Sequence, residues 1–111
     1  MTELQEYCNS IRKELNAIYD GTTTEKNDDG ELITLYDYFT DALDIEYTIG
    51  SRGDFLGVRV YVALGGPNVW IDTRAGEIAG AWGTERASAW LPSEIADEIN
   101  AIFEDIYESI K

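Results

Sequence analysis

An α+β fold is what this chain predicts, on three observations. Apolar residues recur with a period near 3.6 at both ends of the chain. They recur with a period of 2 in the middle. Gly-rich turns separate the period-2 segments. The expected layout is two N-terminal helices, a four-stranded antiparallel meander and a long C-terminal amphipathic helix. All of it belongs to one domain, residues 1–111, because 111 residues with 44% apolar content suffice for one modest core.

Thr2 to Asp20 reads as the first helix. Leu4, Tyr7, Cys8, Ile11, Leu15 and Ile18 share one side, Thr2 is a suitable N-cap, and Gly21 ends the helix. Cys8 falls on the apolar stripe and is expected to be core packing rather than a reactive thiol. Gly21 to Gly30 is polar and reads as a loop. Its Asn27-Asp28-Asp29-Gly30-Glu31 run lacks the ligand spacing of an EF-hand and is expected to be a solvated turn. Glu31 to Leu43 reads as a second, shorter helix, with Leu32, Leu35, Tyr36, Phe39 and Leu43 on one side and Asp37, Asp41 and Asp44 on the other.

The period then changes. Ile45 to Ile49 alternates, and Gly50 to Asp54 turns the chain; its Arg52-Gly53-Asp54 tripeptide is read as chance. In Leu56 to Leu64, Val58, Val60, Val62 and Leu64 face one way and Arg59, Tyr61 and Ala63 the other. Gly65-Gly66-Pro67-Asn68 is a hairpin connection. Val69 to Thr73 returns with Val69 and Ile71 inward and Trp70 and Asp72 outward. Glu77 to Trp82 is the fourth strand, weakened by Gly80. Gly83 to Leu91 is irregular or a short edge strand. Trp82 and Trp90 are expected in the core or at the hinge between sheet and final helix.

Ser93 to Lys111 is the strongest helix in the chain. Pro92-Ser93-Glu94 is a start signal with a hydroxyl N-cap. On a wheel of about 100° per residue, Ile95, Ile99, Ile102, Phe103, Ile106 and Ile110 fall within roughly a third of a turn. Glu94, Asp97, Glu98, Glu104, Asp105 and Glu108 fall opposite, with no base before Lys111.

Charge and residue usage narrow the function. With 22 acids, 8 bases and a net charge of -14, the chain repels nucleic acid and anionic membranes and is attracted to basic surfaces. A single Cys favours a reducing compartment. The N-terminus does not read as a signal peptide, and no apolar run spans a bilayer, so a cytoplasmic location is expected. The absence of His removes the usual neutral-pH base and the commonest metal ligand. With one Cys besides, ordinary zinc sites and Cys-His or Ser-His pairs are excluded. No phosphate-cradling Gly motif is present. Among 22 acids some carboxylate pair is inevitable, so such a pair is no signal. No enzyme, metal or cofactor is expected.

Two surfaces remain. Glu94 to Glu108 spans roughly 21 Å at 1.5 Å per residue, so its six carboxylates come one per roughly 3.5 Å. A DNA strand carries one phosphate per about 3.4 Å. Asp37, Asp41 and Asp44 are expected to extend this strip. Alternatively, the strip serves solubility, and Arg59, Tyr61, Trp70 and Asp72 on the sheet's open face bind a partner. Simple cross-strand pairing of Arg59 with Asp72 is the plain reading of that face. An apolar strip left over after packing would point to a homodimer.

The segment Val60 to Gly83, with Gly65-Gly66-Pro67-Asn68-Val69-Trp70-Ile71-Asp72-Thr73 and Ala81-Trp82-Gly83, resembles small acidic proteins of bacterial mobile elements and phages. The likeness covers the C-terminal half and is specific at the hairpin. It implies a setting in which compact acidic proteins act as anti-restriction or anti-CRISPR inhibitors, some as DNA mimics, and it carries no catalytic residues. The expected partner is then a basic nucleic-acid-binding protein, a nuclease or effector complex, with no direct binding to nucleic acid.

Overall fold

The computed structural model describes residues 2–110. Its elements are α1 (Glu3–Asp20), α2 (Leu35–Phe39), β1 (Asp44–Ile49), β2 (Phe55–Ala63), β3 (Asn68–Asp72), β4 (Glu77–Trp82), β5 (Glu85–Trp90) and α3 (Ser93–Ile110). Each strand pairs antiparallel with its sequence neighbour, in the order β1-β2-β3-β4-β5. The fold is therefore α+β, with an N-terminal helix, an antiparallel sheet and a C-terminal helix. The meander has five strands rather than four, and α2 is a five-residue turn of helix rather than the whole of Glu31 to Leu43.

Register decides which face is buried. Ile45, Val60, Ile71, Ile78 and Ala89 stand directly opposite one another across all five strands, so their side chains share a face. All but Ile45 are buried. α1 packs over β4 and β5, α3 over β2, and α2 touches both long helices. One helical layer thus covers one face. The rows on either side, Asp44-Tyr61-Trp70-Ala79-Ser88 and Glu46-Arg59-Asp72-Glu77, belong to the other face, which no helix among the described residues covers. The extents of 41 × 38 × 24 Å agree. A sheet of about 10 Å and a helix of about 10–12 Å account for the short axis without a third layer.

The first helix follows its sequence. The Thr2 hydroxyl accepts from the Gln5 N–H, and Gly21 closes the helix at φ 75°, a left-handed conformation that disfavours a Cβ. Leu4, Cys8, Ile11 and Leu15 are buried. Cys8 is fully covered, and burial, then the charge of Glu77, pushes its thiol pKa up. The extra strand explains itself against this helix. β5 alternates Ala87 and Ala89 on the helix side with Arg86 and Ser88 on the other. Small residues suit that side because α1 lies very close: a Cβ built on Gly80 would fall 2.7 Å from the Leu4 Cδ1. A strand whose inward residues are Ala lacks the β-branched signature of one.

Four further differences have local causes. The expected second helix is replaced up to Thr34 by a small hairpin. Lys26 bridges Leu32, and the Asn27 side chain accepts from the N–H groups of Asp29 and Glu31. Thr34 and Asp37 then form a reciprocal capping box that starts α2 late, leaving Leu32, Tyr36 and Leu43 exposed rather than on a buried stripe. In α3, Ser93 is already helical. The Pro92 carbonyl takes the N–H groups of Ile95 and Ala96, so Pro92 occupies the cap position expected of Ser93. A bulge between Tyr61 and Ala63 sets Ala63 opposite Val69, on the core face rather than beside Arg59 and Tyr61. Trp82 and Trp90 are 50% and 66% exposed, not core residues. Leu4, in the first turn of α1, already bears on Gly80, so Trp82 extends past the helix's end.

α3 closes the core. Ile95, Ile99 and Phe103 are buried, with Phe103 edge-on to Phe39 at 5.6 Å. The Asn100 Oδ1 accepts from the Thr73 hydroxyl at 2.7 Å, and that hydroxyl accepts the Val58 N–H. Tyr107 stacks among Tyr47 and Phe55 and donates to the Gly53 carbonyl, pinning the Arg52-Gly53-Asp54 turn to the helix. Lys111, the base expected to end this helix, lies outside the described residues. Phe103→Ala should lower stability by about 3–5 kcal/mol in urea unfolding, whereas Trp82→Ala should cost less than about 1 kcal/mol.

Candidate functional site

All six acids expected on the outer face of α3, Glu94, Asp97, Glu98, Glu104, Asp105 and Glu108, are exposed. Their position follows from the helix itself: its other side is committed to Ile95, Ile99 and Phe103. Among the described residues, none of Glu94, Asp97, Glu98, Glu104 and Asp105 forms an ion pair. These carboxylates are therefore uncompensated among the described residues and open to water and its counter-ions, which screen them from one another.

The acids expected to lengthen the strip do not join it as a set. Asp37 is half-buried and serves α2: its carboxylate accepts from the Thr34 N–H at 2.9 Å and from the Asn27 amide. Asp44 opens β1 rather than continuing a helix. It stands opposite Tyr61, on the sheet face away from the helices, and accepts from the Ile45 N–H. Asp41 is exposed and helps line a cleft of about 540 Å³ with Glu3, Glu6, Glu14, Tyr7 and Tyr38. In that cleft Tyr38 donates to Glu14 at 3.1 Å, and burial together with the Glu14 charge pushes the phenol pKa up. The acidic flank of α1 is not among the site residues expected from sequence, since it borders the apolar stripe that defines the helix. Its signal is the Glu3, Glu6, Ser10, Glu14 spacing of three and four residues beside that stripe.

The four residues of the alternative surface do come together. Arg59 and Asp72 face each other in register and pair at 3.1 Å. The Arg59 guanidinium lies 5.1 Å from the Trp70 ring centroid, within cation–π range, and the Tyr61 ring is 5.9 Å from Trp70. Tyr61 donates to Glu46 across the strands. Asp72 is tied down twice, since its second oxygen accepts from the N–H groups of Arg74 and Ala75 and builds the turn after β3. That makes Asp72 a structural residue. Arg59 and the two rings remain only partly covered. Beside them Trp70, Glu77, Ala79, Arg86 and Ser88 line a shallow depression of about 440 Å³. The Trp70 indole N–H is covered and has no acceptor among the described residues, a state native proteins usually avoid.

Among the described residues no group of three or more Cys, Asp and Glu side chains could hold a metal ion, and no helix is long and apolar enough to cross a membrane. Comparison with protein-family models, with curated proteins and with solved structures finds no match for the chain.

The capping box gives a pH dependence with a definite sign. The Thr34 N–H donates into the Asp37 carboxylate and lowers its pKa below the ordinary 3.8. The ionised form is the capping form. Its contribution is complete above about pH 4 and is lost as pH falls further, through the lowered pKa. Asp37→Asn should therefore flatten the fall of stability below about pH 4 in acid unfolding followed by circular dichroism.

Proposed function

We propose that this chain is a non-catalytic inhibitor that works in the cytoplasm by occupying the nucleic-acid site of a basic protein, a nuclease or effector complex of a host-defence system. The anti-restriction or anti-CRISPR setting comes from the resemblance at the Gly65 to Thr73 hairpin. One observation carries the reading: Glu94, Asp97, Glu98, Glu104 and Asp105 on α3 are exposed and form no ion pair among the described residues. Carboxylates left unpaired on a rigid helix are ready to meet Lys and Arg side chains that otherwise hold phosphates. Their spacing along the axis, one per roughly 3.5 Å, approaches that of phosphates along a DNA strand. A net charge of -14 adds long-range attraction to a basic partner and speeds encounter. Asp37 caps α2, Asp41 lines the cleft beside α1 and Asp44 stands opposite Tyr61 in the sheet, so the reading rests on the acids of α3.

The acids of that cleft, Glu3, Glu6, Glu14 and Asp41, are all exposed. Acid–base carboxylates are tuned by burial or a close like charge, and an open cleft favours a binding protein over an enzyme. Capture from a bacterial lysate should recover a basic protein at low salt and release it at high salt. The combined Asp97→Lys, Glu98→Lys and Asp105→Lys variant should keep its circular dichroism spectrum and lose the partner. Retention of the partner by that variant refutes the proposal.

A second reading rests on a different observation, the covered and unpaired indole N–H of Trp70 on a helix-free sheet face. Here Arg59, Tyr61 and Trp70 dock a protein partner, with Asp72 holding Arg59 in place. Small movements of the side chains over the indole would open that donor to a partner's carbonyl. Trp70→Ala should then abolish capture, and salt should change it little; capture undiminished by Trp70→Ala excludes this reading.

A further inference from the structure

We infer that the acidic face recognises its target through a hydrophobic notch as well as by charge, so the partner presents one aliphatic side chain flanked by Lys or Arg. This rests on the acidic-face reading and adds a specificity element to it. The notch lies between α2 and α3, with β1 alongside. Its lining is Tyr36, Ile45, Ile102, Ile106 and the core rings Phe39 and Phe103, with Thr40 as a polar member, around a volume of about 100 Å³. A cavity of that size holds several waters, at roughly 10–15 Å³ each on the same measure, and gives room for one branched aliphatic side chain. Tyr36 is 59% exposed and forms the open side of the notch.

Charge complementarity names the occupant. Glu98 and Asp105 stand four residues before and three residues after Ile102, so both neighbour it on the helix surface. The side of α3 turned to the sheet is marked by Asn100, bonded to Thr73, and by Tyr107, bonded to Gly53. On a wheel of about 100° per residue, Glu98 and Asp105 fall on the other side of Ile102 from those two. They therefore flank the notch on the solvent side, exposed and without an ion pair among the described residues. An entirely apolar segment would leave these carboxylates facing nothing. A second copy docked symmetrically would set each acidic rim against itself, since a two-fold interface brings the same patch of both subunits together. A basic segment with a central Leu, Ile or Met satisfies both the rim and the notch.

The test uses the full chain and two acetylated peptides, Lys-Lys-Leu-Lys-Lys and Lys-Lys-Ser-Lys-Lys, in methyl-detected NMR titrations at low salt. The Leu peptide should bind about tenfold more tightly, the effect of burying one aliphatic side chain. It should shift the methyl signals of Ile102 and Ile106, and Tyr36→Ala, a change at an exposed position, should bring the ratio of affinities close to one. Equal binding of the two peptides, suppressed by salt, overturns the notch and leaves the acidic face standing. Failure of both peptides to bind overturns the acidic face and the notch together.

Discussion

One row of side chains sets the conditions for everything else in this molecule. Ile45, Val60, Ile71, Ile78 and Ala89 cross the five strands at the level where the long helices bear on the sheet. A side-chain period of 2 then leaves no choice for their neighbours. Arg59, Tyr61, Trp70 and Asp72 must face the other way, and no helix remains to cover them. The same burial fixes the rotation of α3. With Ile99 and Phe103 held under the sheet and against Phe39, its carboxylates are forced outward. Both candidate surfaces are thus consequences of one packed interface, presented on opposite sides of a slab.

The electrostatic character follows from where the charges are allowed to sit. Apart from Asp72, no acid is buried among the described residues, and Asp72 is paired with Arg59 and doubly bonded to a turn. Buried charge needs such compensation, while exposed charge needs only water. A chain with 22 acids can therefore fold without neutralising them. Mutual repulsion remains as a diffuse cost of the compact state, and a cationic partner relieves it on binding.

Legibility in the sequence tracked the strength of local pattern. α1, α3 and the β2–β3 hairpin were readable because their periodicity is long or alternates strongly. Even there, a one-residue bulge moved Ala63 to the core face. β5 was not readable as a full strand, since its inward positions are Ala residues chosen by the closeness of α1, a tertiary fact. The short α2 was misjudged in length although its start is encoded in Thr34 and Asp37; helical spacing through Leu32 and Leu43 outweighed the capping box. The sequence places Trp82 and Trp90 in the core or at the hinge before α3; Trp90 does end β5 just ahead of that helix, and only the place where α1 begins shows that the core ends before Trp82. The outer acids of α3 could be named from the wheel alone. The cleft of Glu3, Glu6, Glu14 and Asp41 could not, because it needs α1 and the segment after α2 to meet.

A further consequence lies at the β5 border. An open meander ends in strands whose outward amides invite addition of a foreign strand. In β5 the Ser88 carbonyl is already taken by the Gln5 amide of α1 at 2.7 Å, and that amide is braced in turn against Asn9. On the opposite border, β1 carries the carboxylates of Asp44 and Glu46. Fibrillar stacking would have to evict a glutamine at one rim and line up anions at the other, so both borders resist edge-to-edge growth.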